Sequence, residues 1–465
     1  MANPKSNPKS KLPATVPPPT MSHSPRQKMK WRDKRGKQII SSLFNVRMGI
    51  VGMGIICRHD KFRDVTMVGY AGSDTVHEVI IMGQTTNGEI SDNALLMMRN
   101  QFNIYHGFEP DDKDIRDAVR TLALENCFDP ILDMLTKAQG NWDGVKRLDK
   151  WAVTYLGCKD TKLTKAVGRK TLIAAVHRAR VPGCKYDVIT TLEGDEGEGK
   201  STVPRIFAGD DFFSDQSILG ARDKEVQENL RGVWMHEIAD LSGMKKTDAD
   251  HVKAFSSRQW DKARPAYGHT LEKVPRRGIE WATTNDDVYL QSYNGNRRFA
   301  PLVVGKIDLE GLRRDRLQLL GEAAHYESEG ESVVIDEELW PDAKAEQEKR
   351  RVRHPWEDIL SNIPDTINET FDFVSTPRRI VWHAAIAYRE DGTAYERETV
   401  SSIDLLEHVL RLPRGQQQRH HSMQLASIMK LLKWQRPDGG QVPITGQRVK
   451  GYYRDIEVPL QEVFP

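Results

Sequence analysis

The chain has 465 residues, of which 38% are apolar and 29% charged, with a formal net charge of +2. Such a length holds about two to four domains with ample core, and a near-neutral balance means that any nucleic-acid surface is local rather than global. The four cysteines, Cys57, Cys127, Cys158 and Cys184, form no C-x-x-C pair, which excludes a zinc ribbon or redox pair and suits a reducing cytoplasm. The longest apolar run, Met48 to Cys57, carries glycines and is about half of what a membrane span needs. With no apolar h-region at the N-terminus, the expectation is a cytoplasmic protein without a membrane partner.

Residues 1–40 carry ten basic residues against one acid, Asp33, among many Pro and Ser. They have little to bury and read as a disordered basic tail, either an arm on nucleic acid or a solubilising segment. Residues 41–150 read as a mixed, largely helical N-terminal region. In it Ile115, Val119, Leu122 and Ala123 recur at helical spacing, and Phe128-Asp129-Pro130 starts a second helix. Residues 151–305 read as an α/β core, opened by a helix over 163–180 that stops at Val181-Pro182-Gly183.

The core is organised around Gly194, Asp195, Glu196, Gly197, Glu198, Gly199, Lys200, Ser201 and Thr202, in which Gly194 to Ser201 reads G-x-x-x-x-G-K-S. A short apolar run, Val188 to Leu192, precedes it and a helix can open at Ser201, the context a phosphate-binding loop requires. Glycines let successive N–H groups turn inward onto phosphate oxygens, and the following helix adds its positive end. Lys200 would meet the β- and γ-phosphates of ATP, and the Ser201 hydroxyl would ligate Mg²⁺.

Downstream, Gly232 to Leu241 is an apolar strand that ends in carboxylates. An acid at such a strand end can hold Mg²⁺ or polarise the attacking water. Glu237 is the first candidate and Asp240 the second. A polar helix from Asp248 carries Lys253. After it, Lys262, Arg264, Lys273, Arg276 and Arg277 interleave with Trp260 and Tyr267. Cations of this kind neutralise phosphates, and rings stack on bases. Ile279 to Asn285 is a further core strand whose tip amide, Asn285, can hold water or the γ-phosphate. Arg297 and Arg298 precede the apolar run Phe299 to Val304, and either offers a planar fork for phosphate charge.

Residues 306–375 read as a helical extension. From residue 376 to 465, helices over 380–388, 401–410 and 416–432 precede a hairpin over 441–454, an order that suggests a winged-helix-like domain. Arg436, Arg448, Lys450 and Arg454, with Tyr452 and Tyr453, would suit nucleic acid; a packing cap is the other reading.

In sequence, Asn141-Trp142-Asp143-Gly144, the loop, Glu237 to Leu241, Lys253, Arg264 to Gly268, Thr284-Asn285 and Gly295 to Phe299 resemble the virulence-associated E family. This family of phage and mobile-element proteins is related to superfamily 3 helicases and AAA+ ATPases. The resemblance spans roughly residues 105–455. It implies a P-loop AAA+ ATPase core that hydrolyses ATP with Mg²⁺ in a homo-oligomeric ring, a hexamer, to move on single-stranded or forked DNA. Lys200 and Ser201 would be its first nucleotide motif, Glu237 the second, Asn285 the sensor, and Arg297 or Arg298 the finger. Lys253 to Arg277 would line the pore. His236 stands where relatives often carry a second acid, so the metal-holding and water-activating roles stay open between Glu237 and Asp240. A P-loop kinase and an ATP-regulated DNA-binding switch without unwinding are the rival readings.

Overall fold

The computed structural model describes residues 41–458 except 71–78, 82–83, 87, 222, 242–243, 264–271, 292–294, 372–373 and 392. The chain divides into two compact units. One takes residues up to Leu241 with His251–Asp286 and Phe299–Ala343; the other takes Ser242–Asp250, Asp287–Arg298 and Lys344 onward. The tail expected over residues 1–40, like Arg264 and Tyr267, lies outside the described residues.

The first unit is built on a five-stranded, wholly parallel sheet. In chain order its strands are β1 (Ile189–Glu193), β2 (Phe213–Ser214), β3 (Met235–Ile238), β4 (Ile279–Thr284) and β5 (Phe299–Val303), arranged in space as β5-β1-β4-β3-β2. Every residue of β1, β3 and β4 is buried, as expected of parallel strands covered on both faces. Register aligns Thr284 and Val303 with Glu193 and Ala282 with Ile238, so the strands finish close together at one end of the sheet.

Helices α1 (Lys162–Arg180), α2 (Thr202–Ala208) and α4 (Leu309–Ser328) contribute to the core with the sheet; α3 (Lys246–Ser256) follows β3 in the chain. The Thr161 side chain caps α1, which then presents a continuous apolar face that includes Leu172, Ile173 and Val176. Trp281 of β4 stacks on Phe207 of α2 with centroids 6.4 Å apart, and Trp151 meets Phe207 edge-on at 5.3 Å. Trp234, fully buried, donates its indole N–H to Ala175 O at 2.9 Å. Trp281 thus seats β4 against the helix that follows the loop, and Trp234 ties the start of β3 to α1. Part of the segment read as a helical extension belongs to this core: Leu312, Leu319, Leu320 and Ala323 of α4 are wholly buried in it.

The same unit carries a second core near the N-terminus. There the helices Leu43–Gly52, Asp92–His106 and Asp112–Glu125 enclose Val46, Phe102, Ile115 and Val119 beside an antiparallel pair, Ile55–Asp60 with Val65–Tyr70. The basic stretch around Trp260 contains an antiparallel pair, Trp260–Ala263 with Glu272–Pro275.

In the second unit, the helix expected over 380–388 is not formed. Val381–His383 is instead a strand, paired through Val381↔Val400 to Ala394–Ser401. A short apolar run cannot distinguish strand from helix by periodicity, and here the β-branched and aromatic Ile380, Val381 and Trp382 suit a pleated edge. The expected helices near 401–410 and 416–432 are present at Ser402–Val409 and Arg419–Leu431, and the hairpin as Gln441–Ile444 with Gln447–Glu457. That hairpin joins Ala394–Ser401 in one antiparallel sheet over a core of Ile380, Val400, Leu425, Ile428 and Tyr452.

Candidate nucleotide site

The loop between β1 and α2 bends where Gly197 and Gly199 adopt positive φ, +86° and +87°, which costs other residues strain. Gly194 is needed for a different reason: a Cβ there would lie 2.8 Å from Val304 Cγ2. The bend returns Lys200 to the end of the sheet. Its Nζ donates to Gly194 O (2.7 Å), Asp195 O (2.6 Å) and Asn285 Oδ1 (2.7 Å). The ammonium is thereby held at the crest of β1 and β4, 7% exposed. The β4 strand lies between the loop strand and the carboxylate strand, so its tip residue, Asn285, stands beside Lys200. Crevices at the carboxyl ends of parallel strands are where such sheets bind ligands.

One residue on from Lys200, the Ser201 hydroxyl donates to Glu237 Oε1 at 2.6 Å. Glu237 sits within β3, 1% exposed. The same oxygen accepts from Thr283 Oγ1 of β4 at 2.8 Å. Thr283 was not singled out in the sequence. The available signal was alternation: in register Trp281 faces Glu237, so Thr283, two residues on, shares that face. Asp240 follows the strand as an exposed residue with φ +50°, its amide 3.5 Å from Thr283 Oγ1.

Ser201 and Glu237 are hard oxygen donors of the kind Mg²⁺ takes, and Mg²⁺ commonly keeps only one or two protein ligands beside substrate phosphates. Among the described residues no group of three or more His, Cys, Asp or Glu could hold a metal ion alone. The donor set therefore fits an ion shared with a nucleotide and does not form an all-protein cage.

His236 is turned away from this site. Strand alternation sends it to the opposite face of the sheet, where Nδ1 meets Glu280 Oε2 at 2.6 Å and Nε2 meets Gln216 O at 2.9 Å. Burial alone would lower the histidine's pKa, but the Glu280 charge and hydrogen bond outweigh it and raise it. Burial would likewise raise Glu280, yet His236 draws it down. The two form a buried ion pair, and a side chain at 236 on this strand register could not act at the loop.

The residues expected on DNA are split. Lys262 and Lys273 face each other across this antiparallel pair, and Lys273 Nζ lies 4.4 Å from the centroid of the half-exposed Trp260 ring. Like charges directly opposite on a sheet are unfavourable unless a ligand neutralises them. Arg276 and Arg277 are both engaged within the fold. Arg276 forks onto Asp261 at 2.7 and 3.1 Å and donates to Phe255 O. Arg277 pairs with Asp129 at 2.7 Å and lies over Phe62. Lys253 is also buried, 6% exposed, with Nζ 5.9 Å from the Phe299 ring centre. Arg297 is exposed and Arg298 half-buried. They run directly into Phe299, whose pairing with Ile189 puts it at the end of the sheet away from the loop.

Among the described residues no helix is long and apolar enough to cross a membrane. No curated protein matches the chain. Among solved structures, it is similar to the apo structure of the NrS-1 C terminal region at 9% identity. That match covers 68% of this chain and 77% of that one, with a TM-score of 0.39. The A form apo structure of the same region is similar at 10% identity over the same shares, with a TM-score of 0.41. The family model described as the virulence-associated protein E-like domain matches residues 135–352, a span that includes the loop, Glu237, Thr283 and Asn285. The segment that builds this site thus belongs to the virulence-associated protein E-like domain family, and the chain carries that domain.

Proposed function

We propose that this chain is an ATP-dependent DNA helicase or translocase, a superfamily 3-like AAA+ motor of a phage or mobile element. The observation that carries the reading is the convergence of residues from three separate segments. Lys200 meets Asn285 at 2.7 Å, and the adjacent Ser201 meets Glu237 at 2.6 Å. A structural turn has no use for a buried lysine, an amide and a carboxylate gathered at one strand end, whereas phosphoryl transfer needs all three kinds of group.

In this reading the loop amides and Lys200 bind the β- and γ-phosphates. Mg²⁺, held on the Ser201–Glu237 side, would supply charge neutralisation across the phosphates. Asn285 is placed to orient the γ-phosphate or the attacking water. Glu237 Oε1 is already engaged by two hydroxyls, which favours the metal side for it. Asp240, at the exposed end of the same strand, is then the acid that activates water. Arg297 or Arg298, just before β5 in the chain, would serve a neighbouring subunit's nucleotide in a hexameric ring, steadying transition-state charge. Lys262 and Lys273 would contact single-stranded or forked DNA. The C-terminal helices and hairpin support a winged-helix-like reading for residues 376–465.

The test is ATP hydrolysis by the purified chain, with and without single-stranded DNA, beside Lys200→Ala. Turnover stimulated by DNA and abolished in the variant is expected. Undiminished hydrolysis in Lys200→Ala would reject the site. Nucleotide-dependent assembly without turnover would favour the switch instead.

A further inference from the structure

We propose that the C-terminal unit holds a second nucleic-acid contact, a phosphate-binding cleft for a DNA strand that works without nucleotide. An open cavity of about 590 Å³ lies at the end of the helix Arg419–Leu431, bordered by Lys430, Lys433, Gln435 and Arg436 over Trp434 and Tyr452. Its floor is rigid. Trp434 and Tyr452 are each 3% exposed. Gln435 is tied to Tyr453 by two backbone hydrogen bonds, 2.6 and 2.9 Å, and by the Tyr453 hydroxyl at 2.8 Å. Arg436 is guided over Gly440, where a Cβ would stand 3.0 Å from its Nε.

The charges of this unit are sorted in a telling way. On the sheet, Arg397 pairs with Asp455 at 2.7 Å, Arg389 with Glu457 at 3.0 Å, and Arg454 with Glu398. The three cleft cations form no ion pair among the described residues, and all three are exposed. Arg448 and Lys450 are exposed and share one face of Gln447–Glu457 with Tyr452 of the floor. Alternate strand residues are about 7 Å apart, comparable with successive phosphates of one extended strand.

The chemistry selects the ligand. Lysine and arginine only donate hydrogen bonds, and Gln435 Oε1 accepts one from the Tyr453 hydroxyl. The three cations therefore suit a partner that only accepts, such as a phosphodiester. The linear run of cations suits a polymer of phosphates better than a single free anion.

The test uses the full chain without nucleotide and the fluorescence anisotropy of a labelled single-stranded oligonucleotide across a salt series. The variant is Lys433→Gly/Arg436→Gln. Lys433 has φ +65°, so glycine removes the charge and keeps the backbone. Each lost phosphate contact lowers the slope of log K against log salt by about 0.7 on single strands, so the variant should lose about 1.4 and bind about tenfold more weakly. Lys433→Arg/Arg436→Lys, which retains both charges, should keep the parental slope and show that the effect is electrostatic. An unchanged slope in the first variant, with all binding lost instead in Lys262→Ala/Lys273→Ala, would overturn the proposal. Neither outcome depends on ATP turnover, so the motor assignment and this cleft can fail separately.

Discussion

Replacing Glu237 separates a catalytic carboxylate from a structural one. Both Ser201 and Thr283 donate to its Oε1, at 2.6 and 2.8 Å. In Glu237→Gln an amide oxygen can accept both, so the fold keeps its contacts and loses only the charge. In Glu237→Ala both hydroxyls lose their acceptor. Ser201 is exposed and can turn to water, whereas Thr283 is 6% exposed and cannot. One orphaned buried hydroxyl costs about 1–3 kcal/mol. Because both variants remove the buried charge, that contribution cancels between them. Glu237→Ala should therefore be less stable than Glu237→Gln by about 2 kcal/mol and melt about 3 °C lower for a unit of this size. Turnover should fall by about a hundredfold or more in both, since neither retains a negative charge opposite Mg²⁺. Calorimetry and a steady-state ATPase assay read the two effects. Parental turnover in Glu237→Gln would leave the carboxylate a purely structural role and refute the reasoning.

Asn285→Asp should weaken nucleotide binding by about tenfold, because a carboxylate 2.7 Å from Lys200 Nζ would hold the ammonium against the γ-phosphate; titration calorimetry with a non-hydrolysable analogue checks it, and unchanged affinity would count against a phosphate-facing Lys200. His236 has a raised pKa in the folded chain, so its charged-state stability is complete below the ordinary value of 6.5 and is lost as pH rises through the raised one. Glu280, lowered from 4.5, adds stability that is present above that value and lost as pH falls through the lowered one. The melting temperature should therefore be highest between these limits. His236→Leu alone should cost about 3–5 kcal/mol by stranding a buried carboxylate, and His236→Leu/Glu280→Leu should recover most of it and flatten the alkaline limb. Arg297→Ala and Arg298→Ala subunits, mixed with Lys200→Ala subunits, should regain turnover if one of the arginines acts across a subunit boundary; the absence of rescue in every mixture would place both outside the reaction.

The local parts of the site were legible in the chain because their signals are local. Gly194 to Ser201 carries its own backbone chemistry, and a buried strand before it and a helix after it follow from short-range pattern. The same holds for α1, with its Thr161 cap, and for the terminal hairpin. What sequence could not supply was the partner of each charged group. Arg276 and Arg277 look like any basic pair, and only folding brings Asp261 from the Trp260–Ala263 strand and Asp129 from far upstream to neutralise them. Val381 to His383 likewise became a strand because Ala394–Ser401 lies alongside to receive it.

Sequence alone determined that a G-x-x-x-x-G-K-S loop lies between a buried strand and a helix and that acids and an asparagine follow it in order. Tertiary structure decided which of them meet. Placing β4 between β1 and β3 brings Asn285 to Lys200 and Thr283 to Glu237, while strand alternation turns His236 to the other face. The physical reason is that sheet order and facing are set by the burial of Trp234, Trp281 and Phe207 against distant helices, interactions that connect residues remote in the chain and leave no periodic trace in it.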